Sequence, residues 1–242
     1  IKDDMYVDFY KEKYTVTNIF INGKKDKEVY ININPIVESV FKSQCEVLYQ
    51  FDGQIIVINS WDKEKTDDEI LEEYRELRDL LQTELKYDIF ISVGSSVNMI
   101  DDLRKSYMVA KKLKKYMLTE GMNRVVNEKM ISVIKHKDVK FRDEIEQINK
   151  LMIEKNSAAL KVYVDEVFEN KELTPKNIYD FSIKVVLLMD KVKEEFKVDK
   201  KYTRESLSDT IIELCHENTR ESIKTFILSE LDEFMEVMTQ DT

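Results

Sequence analysis

Residues Ile89–Val126 read IFISVGSSVNMIDDLRKSYMVAKKLKKYMLTEGMNRVV. Their patterns run strand, loop, helix, turn and strand, and the rest of the chain is read outward from them. Ile89, Ile91 and Val93 alternate with other residues, which gives a short strand one apolar face. Gly94, Ser95 and Ser96 interrupt it. Asn98 is placed to cap a helix by accepting from one of its unpaired first amides, with Asp101 and Asp102 in the positive first turn. Leu103, Tyr107, Ala110, Leu113 or Lys114, and Met117 recur at steps of three and four and mark one helical face. Lys111, Lys112, Lys114 and Lys115 crowd the helix end, where the dipole is negative, and Gly121 is placed to stop it.

Toward the N-terminus, residues 1–13 are charged and aromatic without a clear period and read as a linker. Tyr14–Ile21, YTVTNIFI, is β-branched and aromatic, hence a strand, closed by Asn22, Gly23 and Lys24. Asn34 before Pro35 signals a helix start, because a proline at the first helical position loses nothing by lacking its N–H. Ile36, Val37, Val40 and Phe41 would be that helix's buried face. Two strand-like runs, Cys45–Phe51 and Gln54–Asn59, flank Asp52 and Gly53, a strong hairpin signal because the tight turn needs positive φ at both positions. Trp61 reads as a partly buried anchor at the end of the second run. Thr66 and Glu69 form a capping box, and Ile70, Tyr74, Leu77, Leu81 and Leu85 give a helix of about five turns.

The order through Val126 is β, α, β, β, α, β, α, β. It implies an antiparallel hairpin inside an otherwise crossover-connected sheet, a ferredoxin-like layered α+β domain. Beyond Phe141 the pattern is helical only. Ile145, Ile148 and Met152, then Ala159, Tyr163 and Val167, read as helix broken near Asn156 and Ser157. Thr174 caps a helix that starts at Pro175 and runs through Ile178, Phe181, Val185 and Val192 to Phe196. Leu207, Ile211 and Leu214 continue, and Ile223, Ile227, Leu231, Phe234 and Met238 close the chain. The expected organisation is a linker over 1–13, an α/β domain over 14–137 and an all-helical interaction domain over 138–242.

A composition of 43% hydrophobic and 36% charged residues is that of a soluble globular chain. No apolar run approaches the ~20 residues that cross a bilayer, and no signal-like start is visible, so a cytoplasmic protein without a membrane partner is expected. The net charge of −10 is unsuited to gripping phosphates. The first residue is Ile1, the expectation for a piece of a longer chain, and DNA contact is expected only through a domain outside it. Cys45 and Cys215 are too few for a disulfide scaffold or a zinc site, and both are expected as small buried or half-buried residues in a reducing compartment. Cys215 and His216 point about 100° apart on a helix and, with His136 the one other histidine, cannot close a tetrahedral site. The pairs Asp67-Asp68 and Asp101-Asp102 are explained by first helical turns, the lysines at 111–115 by a solvated helix end, and Tyr74, Tyr107, Tyr163 and Phe181 by core or rim packing. With four glycines in all there is no phosphate-cradling loop.

The run ISVG, then AKK, then GMNRVV resembles the C-terminal half of GGDEF domains, whose wording there is close to SIG, then ALYxAKxxGRNRV. Leu103, Arg104, Ser106, Tyr107 and Ala110 resemble more closely the Leu-Arg and Ser-Tyr-x-x-Ala segment of the degenerate GGDEF-like domain in AraC-type response regulators of the YesN kind, related to the CdaR and PucR regulators. The helical remainder is similar to the segment those regulators place before their DNA-binding domain.

In active cyclases of the GGDEF family the hairpin's carboxylates and a carboxylate at the end of the first strand hold divalent metal. Laid on this chain the hairpin falls on Gln50, Phe51, Asp52, Gly53 and Gln54, and the strand end on Ile21, Asn22, Gly23 and Lys24. Only Asp52 remains of the acids, and two-metal phosphoryl chemistry needs paired hard-oxygen ligands. The resemblance therefore implies a GGDEF-like scaffold that is not an enzyme, with no catalytic residue, no metal ligand and no cofactor, and it names no cofactor-binding residue. It implies the central region of a transcription regulator in a two-component system. Such a region is expected to transmit a state change through self-association, as a homo-oligomer, or through helix reorientation, while a histidine kinase acts through a receiver outside the fragment. A small-ligand or nucleotide sensor using a remodelled cleft is the alternative, and a residual diguanylate cyclase a third.

Overall fold

The central strand of the sheet is also its most polar. In the computed structural model, which describes residues 11–22, 27–42, 44–49, 54–132, 139–196, 207–217 and 219–240, β1 (Lys13–Asn22) lies between β3 (Ile55–Trp61) and β4 (Asp88–Val93), antiparallel to both. Outside these are β2 (Cys45–Tyr49), antiparallel to β3, and β5 (Arg124–Val126), parallel to β4. The order β2-β3-β1-β4-β5 inserts β3 between β1 and β2, and β1 between β3 and β4, the split β-α-β arrangement of a ferredoxin-like layered α+β fold. The pairing of Tyr49 with Ile55 closes β2 on β3. The expected turn residues Asp52 and Gly53 lie outside the described residues, as do residues 1–10 of the expected linker, Gly23, Lys24 and His136.

Helices α1 (Lys27–Phe41) and α2 (Asp67–Leu85) cover one face of the sheet. Ile33, Val37 and Phe41 from α1 and Ile70, Tyr74, Leu77 and Leu81 from α2 share a core with Ile19, Val57, Trp61 and Ile91. The expected start of α1 at Pro35 is corrected: the helix begins eight residues earlier and carries Pro35 inside it. Its apolar stripe recurs at steps of four, so burial outweighs one missing N–H, and Pro35 itself is exposed. Trp61 is more deeply buried than expected, at 3% exposure, because Phe41 and Tyr74 pack their rings on it at 5.6 and 6.0 Å. The Thr66–Glu69 capping box forms in full, and Lys86 ends α2 in the left-handed conformation.

The opposite face carries α3 (Leu103–Leu113), which lies across β1 and β4. Asn98 caps nothing. A 3-10 turn over Ile100–Asp102 precedes α3, and neither Met99 nor Asp102 makes a side-chain cap. A second 3-10 turn, Lys114–Tyr116, leads into α4 (Met117–Glu120), which Gly121 ends at a φ of +74°. The short α5 (Glu128–Ser132) follows β5.

The described residues fall into two compact units, one within Ile1–Tyr116 and Glu120–Lys135, the other within Met117–Thr119 and His136–Thr242. The second holds α6 (Arg142–Ile153), α7 (Ser157–Glu169), α8 (Pro175–Glu195), α9 (Leu207–His216) and α10 (Arg220–Gln240). The break before α7 falls where expected: the Asn156 side chain accepts from the Ala159 amide, which starts the new helix. Thr174 and Asn177 form a capping box in front of α8, with Pro175 in its first turn. Phe181 is the centre of the core, with Phe141 and Phe168 at 5.1 and 5.5 Å. Cys215 departs from the expected burial: α9 buries Leu214, and the next side chain, about 100° round, is exposed. Cys45 is half-buried.

Candidate functional site

Two places were candidates: the end of the sheet where a cyclase would hold metal, and the polar centre of β1. At the sheet end, Asn22 is exposed and pairs across β1 and β4 with Asp88. Gln54, half-buried, precedes the neighbouring strand β3 at the same end. The acid there belongs to β4, and it is already engaged. Asn123 donates from Nδ2 to the Asp88 carboxylate at 2.8 Å and accepts from the Ile89 amide at 2.9 Å, tying the start of β5 to the start of β4. Asn123 can do this because it sits in the left-handed region at φ 62°, which asparagine tolerates. Gln50, Phe51, Asp52 and Gly53 lie outside the described residues. Among the described residues no three His, Cys, Asp or Glu side chains cluster as metal ligands.

The second place was not anticipated. Strand β1 carries Thr15, Thr17 and Asn18 with 0% exposure, so polar groups enter the core from both faces of the central strand. On the α2 face Thr15 enters a directed chain, while Thr17 Oγ1 is buried without a partner. Trp61 Nε1 donates to Thr15 Oγ1 at 2.8 Å, Thr15 Oγ1 lies 3.3 Å from the Tyr74 hydroxyl, and that hydroxyl donates to Asn59 Oδ1 at 2.7 Å. Since Thr15 accepts from the indole, its own hydroxyl proton is free to bind the Tyr74 oxygen. Burial pushes the Tyr74 phenol well above its ordinary ionisation range, so it stays a neutral donor. Asn59 Nδ2 ends the chain without a partner.

On the other face, α3 docks through one hydroxyl. Beyond Val93 strand β4 leaves β1, and Ser106 of α3 supplies the missing acceptor: the Val16 amide donates to Ser106 Oγ at 2.8 Å. The Gly94 amide closes the gap by donating to the Val16 carbonyl at 2.9 Å. A Cβ on Gly94 would stand 2.2 Å from the Ser106 carbonyl oxygen, so only glycine admits the helix this close. Ala110 and Leu113 bury the rest of the α3 face, Leu103 and Tyr107 pack on Val16, Ile56 and Ile58, and Arg104 is exposed. Asn18 and Ser92, paired across β1 and β4 beneath α3, are both fully buried, and their side-chain polar atoms have no partners.

Of the other residues singled out, Asp67 and Asp68 occupy the first turn of α2. Asp67 accepts from Ser96 at 2.7 Å and pairs with Lys13, which holds its carboxyl below the ordinary range although burial works against it. Lys111, Lys112 and Lys115 are exposed, while Lys114 lies 4.8 Å from the Phe20 ring centre. Tyr74 and Phe181 are core, and Tyr107 and Tyr163 half-buried rim. What sequence reading missed is the polar centre. The run Thr15-Val16-Thr17-Asn18 has strand propensity, and only the covering of both faces by helices turns its polar members into core groups. No known protein-family model, curated protein or solved structure matches this chain.

Proposed function

We propose that this chain is the non-catalytic, signal-transmitting and self-associating central region of a cytoplasmic AraC-type response regulator, its α/β unit a degenerate GGDEF-like domain. The resemblance in the Leu103–Ala110 segment and in Gly121–Val126 supports the family. The strand order, with its fifth strand parallel to β4, is compatible with it. Asn22 in place of an acid, and the tying of Asp88 by Asn123, support a role without phosphoryl chemistry.

The observation that carries self-association is the set of exposed apolar residues on the two sides of the β2 edge. Ile31, Leu48 and Tyr49 are 69, 40 and 42% exposed, on the outermost strand and the helix beside it; the Tyr49 hydroxyl donates to Asn34 Oδ1 of α1 at 2.6 Å. An outermost strand with apolar side chains is a template for pairing with another chain. Sedimentation or light scattering of the purified chain tests this: a dimer is expected, converted to monomer by Leu48→Glu. A wild-type chain that stays strictly monomeric at high concentration refutes the self-association.

A further inference from the structure

We propose that Asn18 and Ser92 hold one buried water molecule between the sheet and α3. Three polar atoms meet here without partners, Asn18 Oδ1, Asn18 Nδ2 and Ser92 Oγ, all fully buried. The two residues pair directly across antiparallel β1 and β4, which brings their Cβ atoms to about 4.5–5.5 Å.

The helix above them supplies no polar group. Ser106 is fixed to the Val16 amide, and Lys114, two turns later, lies over the Phe20 ring. Helix α3 and its 3-10 extension therefore run along β1 from Val16 toward Phe20. Four helical residues advance about 6 Å and two strand residues about 6.8 Å, so Ala110, four residues on from Ser106, stands over Asn18 and Ser92. Ala110 is itself fully buried and brings only a methyl group.

Ala110 offers neither a donor nor an acceptor to the amide and the hydroxyl beneath it, and among the described residues no other group pairs with them. The three atoms include an acceptor, a donor and a hydroxyl that serves as either, which matches the roughly three hydrogen bonds a buried water makes. Carrying no charge, the pair suits a neutral guest rather than an ion.

A high-resolution crystal structure of the wild-type chain tests the site. Density for a water within hydrogen-bond reach of Asn18 and Ser92 is the expected result; an Asn18 amide bonded directly to Ser92 Oγ with no density between them overturns it. Oxygen-17 relaxation dispersion provides a second reading in solution. Ser92→Ala and the filled double variant Asn18→Leu/Ser92→Ala are expected to lose the amplitude of one long-lived water, and amplitude unchanged in a folded variant also overturns the proposal. Where neither variant folds, the wild-type density decides.

Discussion

At the scale of single residues, the contact between Gly94 and Ser106 determines how closely α3 approaches the sheet. A methyl group at Gly94 would meet the Ser106 carbonyl oxygen at 2.2 Å, a backbone atom that cannot rotate away. Gly94→Ala is therefore expected to cost about 1–3 kcal/mol as overpacking. Ser106→Ala strands the Val16 amide in the interior, at about 1–3 kcal/mol for an unsatisfied donor. Urea titration checks both against the exposed Lys112→Ala, for which a change within about 0.5 kcal/mol is expected. Cys45 supplies a pH test. Burial first, then Glu38 and Glu46, push its thiol from an ordinary 9.0 up to about 11. The folded chain thus holds this proton more tightly than the unfolded chain. The stability it contributes is complete below pH 9.0 and falls as pH rises toward about 11. Unfolding measured at pH 8 and pH 10 is expected to show that fall, and Cys45→Val to flatten it. At pH 8 the exposed Cys215 is expected to alkylate well before Cys45.

At the scale of elements, α1 shows how burial overrides a local start signal. Pro35 removes one donor from the helix and leaves the Ile31 carbonyl without its partner. The stripe Ile33, Val37 and Phe41 nonetheless holds the helix against β1 and β3. Because Pro35 is exposed, Pro35→Ala restores the bond without disturbing packing, and an increase in unfolding free energy of about 1–3 kcal/mol is expected from chemical denaturation. Helices α2 and α8 start as their sequences read, since Thr66 and Thr174 each satisfy a first-turn amide through their own side chains, and α7 starts at the expected break, where Asn156 caps it. Capping is local and so legible where the helix starts at the candidate residue, which Asn98, ahead of a 3-10 turn, does not satisfy. Between α7 and α10 the ion pairs are not local: Lys224 reaches Asp165 at 3.1 Å as well as Glu221 on its own helix, and these carboxylates raise its ionisation range.

At the scale of the whole molecule, each unit has its own core. Phe181 with Phe141 and Phe168 lies at the centre of the helical one, and Tyr74 with Phe41 and Trp61 at the centre of one layer of the α/β one. Phe181→Ala is expected to remove about 3–5 kcal/mol from the helical core. Hydrogen exchange would locate the loss in the amides of α6, α7, α8 and α10, with those of β1, β3 and β4 keeping their protection.

The sequence by itself determined the order of strands and helices, the ferredoxin-like layering that follows from it, the caps at Thr66 and Thr174, and the helix break near Asn156. Each depends on residues close together in the chain: periodicity, turn chemistry and side chains that bond the amides three positions on. Tertiary structure alone decided that Pro35 lies inside a helix, that Cys215 faces outward and that Asn123 ties up Asp88. It also turned Thr15, Thr17 and Asn18 into core groups. These outcomes depend on what covers each residue, and the covering groups come from distant segments: Tyr74 is 59 positions from Thr15 and Ser106 is 90 from Val16. A polar residue in a strand is ordinary until both faces of the sheet are covered, and only then does its hydrogen bonding become a matter of stability.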